Sequence, residues 1–428
     1  MTRLRSARPV LALAACAFMA LAAGCRKPPP HENMLTQKTP PSGGGSPVVD
    51  AGPIPKWDGG AEVDAGPFSE KALLTEFASC ALGRYRAFLP LATQLRDAAA
   101  EWSAARSTEN EQATREAWRS AMEVWEEAEL FQYGPAAVSS LPGGRDLRNQ
   151  IYAWPVFNRC KVDEQLVART YAGAAFSTSL INARGLGAVE YLVFYTGTDN
   201  ACSEFSTING RGTWAALSPD ALIERKAAYA AAAAADVLAR TESLISAWEP
   251  AGGNFTAELV NAGAGSKTFA ARLDALDAVS GALFYVDKVV KDAKLGKPLG
   301  YLECEKATCP DAVESLYARR SVEHLRANLI GFRRLFQGCG EDYAGLGFDD
   351  WLRAAGATRL ADDMMGALVA TQGAVDALAA PIDKALSDDP TAVALVHARL
   401  KMLTDLLKTE FVTVLHLQLP KGSEGDND

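Results

Sequence analysis

The sequence predicts an all-α protein whose body consists of two packed antiparallel helical bundles. After residue 68, nearly every long segment is rich in Ala, Leu, Glu and Arg, which favour helices. The breaks coincide with Pro and Gly, and no run of alternating β-branched residues indicates a strand. The first bundle is predicted over residues 69–248 and the second over residues 255–420. A duplicated unit is one interpretation, although no repeat demonstrates it, and a single large bundle is the alternative.

The N-terminal segment is interpreted as a signal peptide over residues 1–24. Three arginines precede an apolar stretch from Val10 to Ala23, which is too short for a structural membrane helix. The sequence Leu21-Ala22-Ala23-Gly24-Cys25 resembles a bacterial lipobox, which implies cleavage before Cys25 and lipidation of its thiol. Ordinary cleavage with a free cysteine is the alternative. Arg26 after the cysteine favours the outer membrane as the destination.

Residues 25–68 are predicted to form a lipidated cysteine followed by a disordered tether. Nine prolines and seven glycines occur in residues 26–68, and such a segment buries too little apolar surface to offset its ordering entropy. A flexible chain of this length has a reach of about 35–40 Å. The segment is therefore expected to hold the body off a lipid surface.

Charge and composition limit the classes of function. Removal of residues 1–24 takes away three arginines and no acids, so the net charge changes from −9 to −12. No basic stripe remains that would indicate nucleic-acid binding, and we expect no nucleic-acid partner. The negative charge itself is typical of a well-solvated body.

Six cysteines follow the lipobox, and in an exported protein this number predicts three disulfides. Fifteen pairings are possible, and the close spacing of Cys304 and Cys309 allows those two to close a small loop. A soft-metal site is the alternative, but no Cys-x-x-Cys pair supports it. The disulfide candidates are Cys80, Cys160, Cys202, Cys304, Cys309 and Cys339.

Helix boundaries in the first bundle follow from caps and breakers. Ser218 can cap a helix that begins at Pro219, since proline fits the first helical position. Gly134-Pro135 ends an earlier helix, and Pro90 is expected to kink the first one. The predicted helices span residues 69–107, 108–132, 164–171, 186–195 and 219–247, with an irregular stretch over residues 136–161.

Residues 249–254, which include one Pro and two Gly, form the predicted seam between the bundles. Residues 263–268 resemble a phosphate loop but lack its Gly-Lys-Ser/Thr order and any preceding strand. They are interpreted as a flexible loop that ends with Ser266 as a helix cap. The predicted helices of the second bundle span residues 266–292, 311–337, 358–379 and 391–417.

The most informative stretch runs from Ile181 to Tyr195, where Glu190 is the only acid in an apolar run. A desolvated carboxylate is unfavourable unless a cation, a proton or hydrogen bonds compensate it. Gly185 to Glu190 resembles the Gly-x-His-x-x-Glu motif of imelysin-like proteins, with Gly187 in place of the histidine. Five further segments resemble that family in the same order, namely residues 118–135, 151–155, 294–300, 310–321 and 415–428.

The resemblance covers most of residues 70–428 and implies a role in iron uptake or sensing, with a site between helices of the first bundle and near the second. In the family motif, His and Glu are three residues apart, so both side chains lie on one helical face and can bind the same divalent ion. This chain supplies only the glutamate of that pair, Glu190. Glu129 stands where a helix of the family has a glutamate before an aromatic-x-x-Gly-Pro turn, and Glu126, three residues earlier, shares its helical face. The candidate metal ligands are therefore Glu190, Glu129 and Glu126. Carboxylates without imidazole favour hard ions such as Ca²⁺, Mg²⁺ or Mn²⁺ over Zn²⁺. Alternatively, Glu190 forms a hydrogen bond with a buried Tyr, Trp or Arg, such as Arg184, and so stabilises the packing of the helices.

Three functions are compatible with these residues. The first is a lipid-anchored binding protein of the cell envelope that faces the periplasm, takes iron or another divalent ion and has an iron-uptake partner. The second is a scaffold without a ligand, and the third is a metallopeptidase, which the missing motif histidine argues against. One histidine of the second bundle could reach across the interface, although a surface or core role is favoured for each of His324, His397 and His416.

Overall fold

A computed structural model describes residues 47–57 and 68–423 of the chain. These residues form helices, turns and connecting segments and contain no β-strand, which confirms the predicted all-α class. No helix within the described ranges is both long enough and apolar enough to cross a membrane. The predicted signal peptide and Cys25 lie outside the described residues.

Serine caps begin the long helices of the first part of the body. Ser69, Ser107 and Ser218 each accept a hydrogen bond from the backbone N–H three residues later. The first helix continues through Pro90 to Ala104. The α-helices of this part are α1 (Glu70–Ala104), α2 (Thr108–Ala128), α3 (Leu147–Ile151), α4 (Arg159–Ala168), α5 (Gly185–Phe194), α6 (Thr207–Gly210) and α7 (Pro219–Trp248).

The second part of the body contains a long π-helix, a rare element that is frequent at functional sites. It runs from Val286 to Gly296 and is followed by an irregular segment. The α-helices of this part are α8 (Phe255–Val260), α9 (Arg272–Leu283), α10 (Ser321–Phe336), α11 (Phe348–Ala354), α12 (Thr358–Asp376), α13 (Ile382–Asp388), α14 (Thr391–Leu406) and α15 (Val412–Val414), with a second π-helix at Leu407–Phe411.

Two predicted helix starts are wrong. Ser266 does not cap a helix: its hydroxyl accepts the N–H groups of Thr268 and Phe269 and donates to Glu258, and the helix begins only at Arg272. Residues 313–320 are also not helical, and α10 begins at Ser321. Within this irregular segment Ser315 has φ 54° and Arg319 has φ 56°, a left-handed conformation that ends any helix.

Helices from both parts of the chain pack against one another. Helix α1 packs on α2 and α7, α5 packs on α7 and α2, and α12 packs on α14. Across the predicted seam, α2 packs on α10 and α1 packs on α8, and the buried apolar side chains form one continuous core. The division into two bundles remains a prediction. The interface between α2 and α10 is therefore formed by helices from both parts of the chain.

All six cysteines that follow the lipobox are paired, as predicted. Cys304–Cys309 closes the short loop that their spacing allows, with a sequence separation of 5. Cys160–Cys202 lies within the first part. Cys80–Cys339 joins α1 to the segment after α10 across a sequence separation of 259, and so ties the first part of the body to the second.

Residues 47–57 lie against the second part of the body. The hydroxyl of Tyr301 donates to the carbonyl of Pro47 over 2.8 Å, and Arg399 donates to the carbonyl of Pro53 over 3.1 Å. A Cβ at Gly366 of α12 would lie 2.2 Å from the carbonyl oxygen of Pro55, so the two backbones meet closely. The flexible tether predicted for residues 25–68 therefore does not describe residues 47–57.

Candidate functional site

The backbone at the start of α5 requires glycine at position 185, and Gly187 lies against Phe157. Gly185 has φ +74°, and a Cβ there would lie 2.4 Å from the carbonyl oxygen of Ile151. Only glycine suits both conditions. A Cβ on Gly187 would lie 3.3 Å from Cδ2 of Phe157. The Phe157 ring therefore occupies the space into which a side chain at position 187 would extend.

Glu190 is buried and bound by backbone donors. One carboxylate oxygen, Oε1, accepts the N–H groups of Tyr317 and Ala318, each over 3.0 Å. Burial raises the pKa of Glu190 to about 7, although these N–H groups and nearby His324 act in the opposite direction. This carboxyl group therefore titrates near neutral pH.

The side chain proposed from sequence as an alternative partner of Glu190 lies elsewhere. Arg184 pairs with Asp236, with 2.7 Å between Nη1 and Oδ2. Its guanidinium is buried in that ion pair, and Arg240 also contacts Asp236 over 3.2 Å. The compensation for the Glu190 carboxylate therefore comes from the irregular segment before α10.

Glu126 and Glu129 lie together near the end of α2, as their spacing of three residues predicts. Both carboxylates are buried, and the Lys294 ammonium from the π-helix lies between them. Its Nζ is 2.6 Å from Glu126 Oε2 and 3.4 Å from Glu129 Oε1, and it donates to Asn328 Oδ1 over 2.7 Å. Nearby carboxylates raise the pKa of Lys294 well above its ordinary value, although burial alone would lower it.

Glu129 is bound mainly by two other side chains. Its Oε2 lies 2.7 Å from Nη2 of Arg148, and its Oε1 accepts a hydrogen bond from the hydroxyl of Tyr285. Burial raises the pKa of Glu129, and the Arg148 guanidinium opposes that change. With both oxygens engaged, Glu129 is better placed to fix helix packing than to bind a further ligand.

Sequence reasoning missed Glu314, which the irregular segment before α10 brings into the same cluster. Its Oε2 lies 2.8 Å from Lys294 Nζ, and its Oε1 accepts the hydroxyl of Tyr152 over 2.9 Å. Burial alone would raise the pKa of Glu314, but Lys294 and His324 lower it below its ordinary value. Glu314 lies in residues 310–321, one of the segments that resembled the family, and that position was the available signal.

His324 enters the cluster from the first turn of α10. Its Nδ1 lies 3.3 Å from Glu126 Oε1 and 3.3 Å from Glu314 Oε2. Neither contact has hydrogen-bond geometry, and Nε2 has no hydrogen-bond partner among the described residues. Burial alone would lower the pKa of His324, but Glu126 and Glu314 raise it. The sequence favours a surface or satisfied core histidine here; the side chain is buried, and it faces two acids.

Acids outnumber the permanent cations in this region. One oxygen of Glu126, Oε1, also lacks a hydrogen-bond partner among the described residues. The donor atoms of Glu126, Glu314 and His324 all lie within 4.8 Å of one another and could hold a metal ion. The buried acids of the region are Glu126, Glu129, Glu190 and Glu314, and the buried permanent cations are Arg148 and Lys294.

A cleft of about 590 Å³ has Glu190 of the motif helix in its wall. Glu126, Glu314 and His324 do not line this cleft. Aromatic rings of Trp154, Phe157 and Tyr317 form much of the remaining wall, together with charged residues such as Lys297. Segments from both parts of the chain therefore line the cleft.

A second group of potential metal donors is excluded because it contains a disulfide. Cys160, Glu164 and Cys202 lie within 4.8 Å of one another. The two sulfur atoms are bonded to each other, however, so neither is available as a thiolate ligand. The acid and histidine cluster is the better candidate in the described part of the chain.

Comparison with known proteins identifies the family and the fold of this chain. The imelysin family model matches residues 81–409. Iron-regulated protein A of Synechococcus elongatus is 25% identical over 283 residues, a match that covers 65% of this chain and 65% of that relative. The crystal structure of an imelysin-like protein from Psychrobacter arcticum has a TM-score of 0.61 at 16% identity, covering 84% of this chain and all of that one.

A crystal structure from Parabacteroides distasonis gives a TM-score of 0.58 at 18% identity, covering 85% of this chain and 100% of that chain. At these identities the two solved structures establish the fold alone. The family model matches well over half of the sequence in the region that carries both the motif helix and the cluster. This chain therefore belongs to the imelysin family.

Proposed function

We propose that this imelysin-family protein is a divalent-cation-binding protein of the cell envelope with a role linked to iron. The observation that carries the proposal is the excess of buried carboxylates over permanent cations beside a cleft. Four acids converge there, whereas Arg148 and Lys294 supply only two permanent positive charges. A buried and uncompensated carboxylate is unfavourable by several kcal/mol. A divalent cation is one way to restore the balance, and protonation is the other.

The donor chemistry supports a metal. Carboxylate oxygens and an imidazole nitrogen are ordinary ligands of divalent ions in proteins. Glu126 Oε1 and both nitrogens of His324 lack hydrogen-bond partners among the described residues, although both side chains are buried. Glu126, Glu314 and His324 would hold the ion, which would supply positive charge to the cluster.

Binding fits these residues better than peptide hydrolysis. A metallopeptidase needs a group that activates water beside the metal and an open path for the substrate. Position 187 offers no imidazole, and Glu190 is bound to two backbone N–H groups. The side chains of Glu126 and His324 are buried and do not line the cleft. These features favour the binding of an ion over the turnover of a peptide.

A scaffold without a ligand is the second candidate, and one observation favours it. The Lys294 ammonium already lies within 3.4 Å of oxygens from three carboxylates and one amide. An ammonium in such a cage neutralises part of the acidic charge without any metal. The metal titration below separates the two candidates.

The link to iron is drawn from a relative. The Synechococcus elongatus protein, which shares 25% identity with this chain, is named iron-regulated protein A. We extend that link to this protein as part of the proposal, with Fe²⁺ as the first ion to test and an envelope component of iron uptake as the partner class.

The proposed location follows from the N-terminal sequence. The lipobox-like residues 21–25 and the basic, apolar segment before them support export and acylation of Cys25. The protein would then be anchored to the outer membrane and face the periplasm. Mass spectrometry of the protein from membranes should find a diacylglyceryl group on Cys25. A Cys25→Ser variant recovered at unchanged level in the membrane fraction would contradict the anchor.

Metal titration tests the proposed function. The purified mature protein, treated with chelator and dialysed, is titrated anaerobically with Fe²⁺, Mn²⁺, Zn²⁺ and Ca²⁺ by calorimetry, with thermal unfolding in parallel. At least one ion should bind and raise the unfolding temperature, and Glu126→Gln should abolish both effects. Glu303→Gln, at an exposed residue of the cleft rim, is the matched control. No binding of any ion by the unmodified protein would favour the scaffold.

A further inference from the structure

We infer that His324 supplies the imidazole of the metal site in this chain, so that the ligand set is Glu126, Glu314 and His324. This inference rests on the proposed function and specifies its site. It replaces the set suggested by sequence, which consisted of Glu190, Glu129 and Glu126. Three observations support the new set: the distances between the donor atoms, their lack of hydrogen-bond partners, and the contact of Phe157 with Gly187 at the motif position.

The separation of the donor atoms suits a tetrahedral ion. His324 Nδ1 lies 3.3 Å from Glu126 Oε1 and 3.3 Å from Glu314 Oε2. Metal–ligand bonds of 2.0–2.2 Å in a tetrahedral site place neighbouring donors about 3.3–3.6 Å apart. The two distances from the imidazole match that range, and the cluster's donor atoms all lie within 4.8 Å of one another.

The lack of partners points to a ligand at this place. Buried polar side-chain atoms are nearly always hydrogen-bonded, and one left without a partner is unfavourable by about 1–3 kcal/mol. Glu126 Oε1 and His324 Nδ1 are both buried, and neither makes a well-formed hydrogen bond within the described part of the chain, since the 3.3 Å contacts of Nδ1 with Glu126 and Glu314 have poor geometry. By contrast, Glu190 and Glu129 have well-formed hydrogen bonds to protein donors.

The motif position cannot provide the imidazole without rearrangement. Phe157 lies 3.3 Å from the position of a Cβ on Gly187, and so fills the space on that side of α5. His324 approaches the acids from α10, which packs on α2, the helix of Glu126. The imidazole therefore comes from the second part of the chain, whereas the family motif places it in the first.

The donor set changes the expected ion. Carboxylates alone favour hard cations such as Ca²⁺ and Mg²⁺, as the sequence suggested. One imidazole with two carboxylates suits Fe²⁺, Mn²⁺ or Zn²⁺. We therefore expect first-row transition ions to bind and Ca²⁺ to bind weakly.

Lys294 competes with the ion for the same oxygens. Its Nζ lies 2.6 Å from Glu126 Oε2 and 2.8 Å from Glu314 Oε2. Glu314 Oε2 thus lies within 3.3 Å of both the ammonium and the imidazole. A divalent ion at these donors would repel the ammonium and displace it from Glu314. Removal of the ammonium should therefore strengthen metal binding.

The test uses Zn²⁺ and Co²⁺ as probes of the mature protein. His324→Gln should weaken binding of both at least tenfold and remove the intense visible absorption that tetrahedral Co²⁺ with a nitrogen ligand shows. His416→Gln, on an exposed histidine, is the matched control and should change neither. Lys294→Gln should bind Zn²⁺ at least tenfold more tightly, a gain that misfolding cannot produce.

The outcomes separate the inference from the proposed function. Binding that Glu126→Gln weakens but His324→Gln leaves unchanged would overturn the assignment of His324 and keep the cation-binding function. Unchanged or weaker binding in Lys294→Gln would overturn the competition between ammonium and metal. Binding of no ion by the unmodified protein or by Lys294→Gln would overturn the proposed function itself.

Discussion

Replacement of Glu190 by Gln should stabilise the protein above neutral pH and leave it nearly unchanged in acid. The amide keeps an acceptor oxygen for the N–H groups of Tyr317 and Ala318 and removes the charge. Burial holds the carboxyl pKa at about 7, compared with 4.5 for an unperturbed glutamate. Because the folded state binds this proton more tightly than the unfolded chain, the unmodified protein loses stability as pH rises from 4.5 through 7.

The magnitude follows from the pKa difference. A change from 4.5 to about 7 corresponds to about 3 kcal/mol of unfolding free energy, lost in full above pH 7. Glu190→Gln lacks this loss. The stability difference between variant and unmodified protein should therefore grow by about 3 kcal/mol between pH 4.5 and pH 8. Acidic Glu314 raises the pKa of Glu190 and His324 lowers it, so both must be intact in the comparison.

Urea unfolding followed by far-UV circular dichroism at pH 5, 6, 7 and 8, with chelator present, measures this difference. Glu303→Gln removes a charge from an exposed side chain and should show no comparable pH dependence. Glu190→Ala leaves two backbone N–H groups without their acceptor and should be less stable at every pH. If Glu190→Gln and the unmodified protein keep the same stability difference from pH 5 to 8, the carboxylate stays ionised and the argument from burial fails.

Three further predictions use other parts of the structure. Gly187→His should lower the unfolding free energy by about 1–3 kcal/mol, because its Cβ would lie 3.3 Å from Phe157, and adding Phe157→Ala should recover most of that loss in urea unfolding. Burial raises the pKa of Asp349 to about 7, so the unmodified protein loses unfolding free energy as the pH rises from 3.8 to 7. The stability of Asp349→Asn relative to the unmodified protein should therefore increase by about 2–4 kcal/mol between pH 4 and pH 8. The same stability difference at pH 4 and at pH 8 would contradict this. Cys80→Ala with Cys339→Ala should lower the unfolding free energy by about 2–5 kcal/mol, and no change would show that the link is dispensable.

Local chemistry allowed much of the fold to be predicted. The helix that begins at Pro219 depends on a serine cap, a signal contained within four residues of sequence. The all-α class likewise follows from helix propensity summed over long segments. Such features do not require knowledge of distant contacts.

The errors arise where distant contacts decide the structure. Residues 313–320 have helix-forming composition, yet Ser315 and Arg319 adopt a left-handed conformation that no glycine or proline announces. This segment places Glu314 beside Lys294 and two N–H groups beside Glu190. These contacts depend on the tertiary fold, and the spacing of residues in the sequence does not predict them. A buried Tyr, Trp or Arg side chain such as Arg184 was one expected partner of Glu190, whereas the donors are backbone N–H groups 127 and 128 residues away.

The same reasoning explains why the missing motif histidine and the cluster must be considered together. A histidine at position 187 would share a helix face with Glu190, but Phe157 now fills that side. The carboxylate of Glu190 accepts backbone N–H groups, while Glu126 and Glu314 face an imidazole from α10. The metal site that we propose depends on α10, so it requires α2 and α10 to stay packed. On that proposal, metal affinity should be sensitive to any change that loosens the contact between α2 and α10.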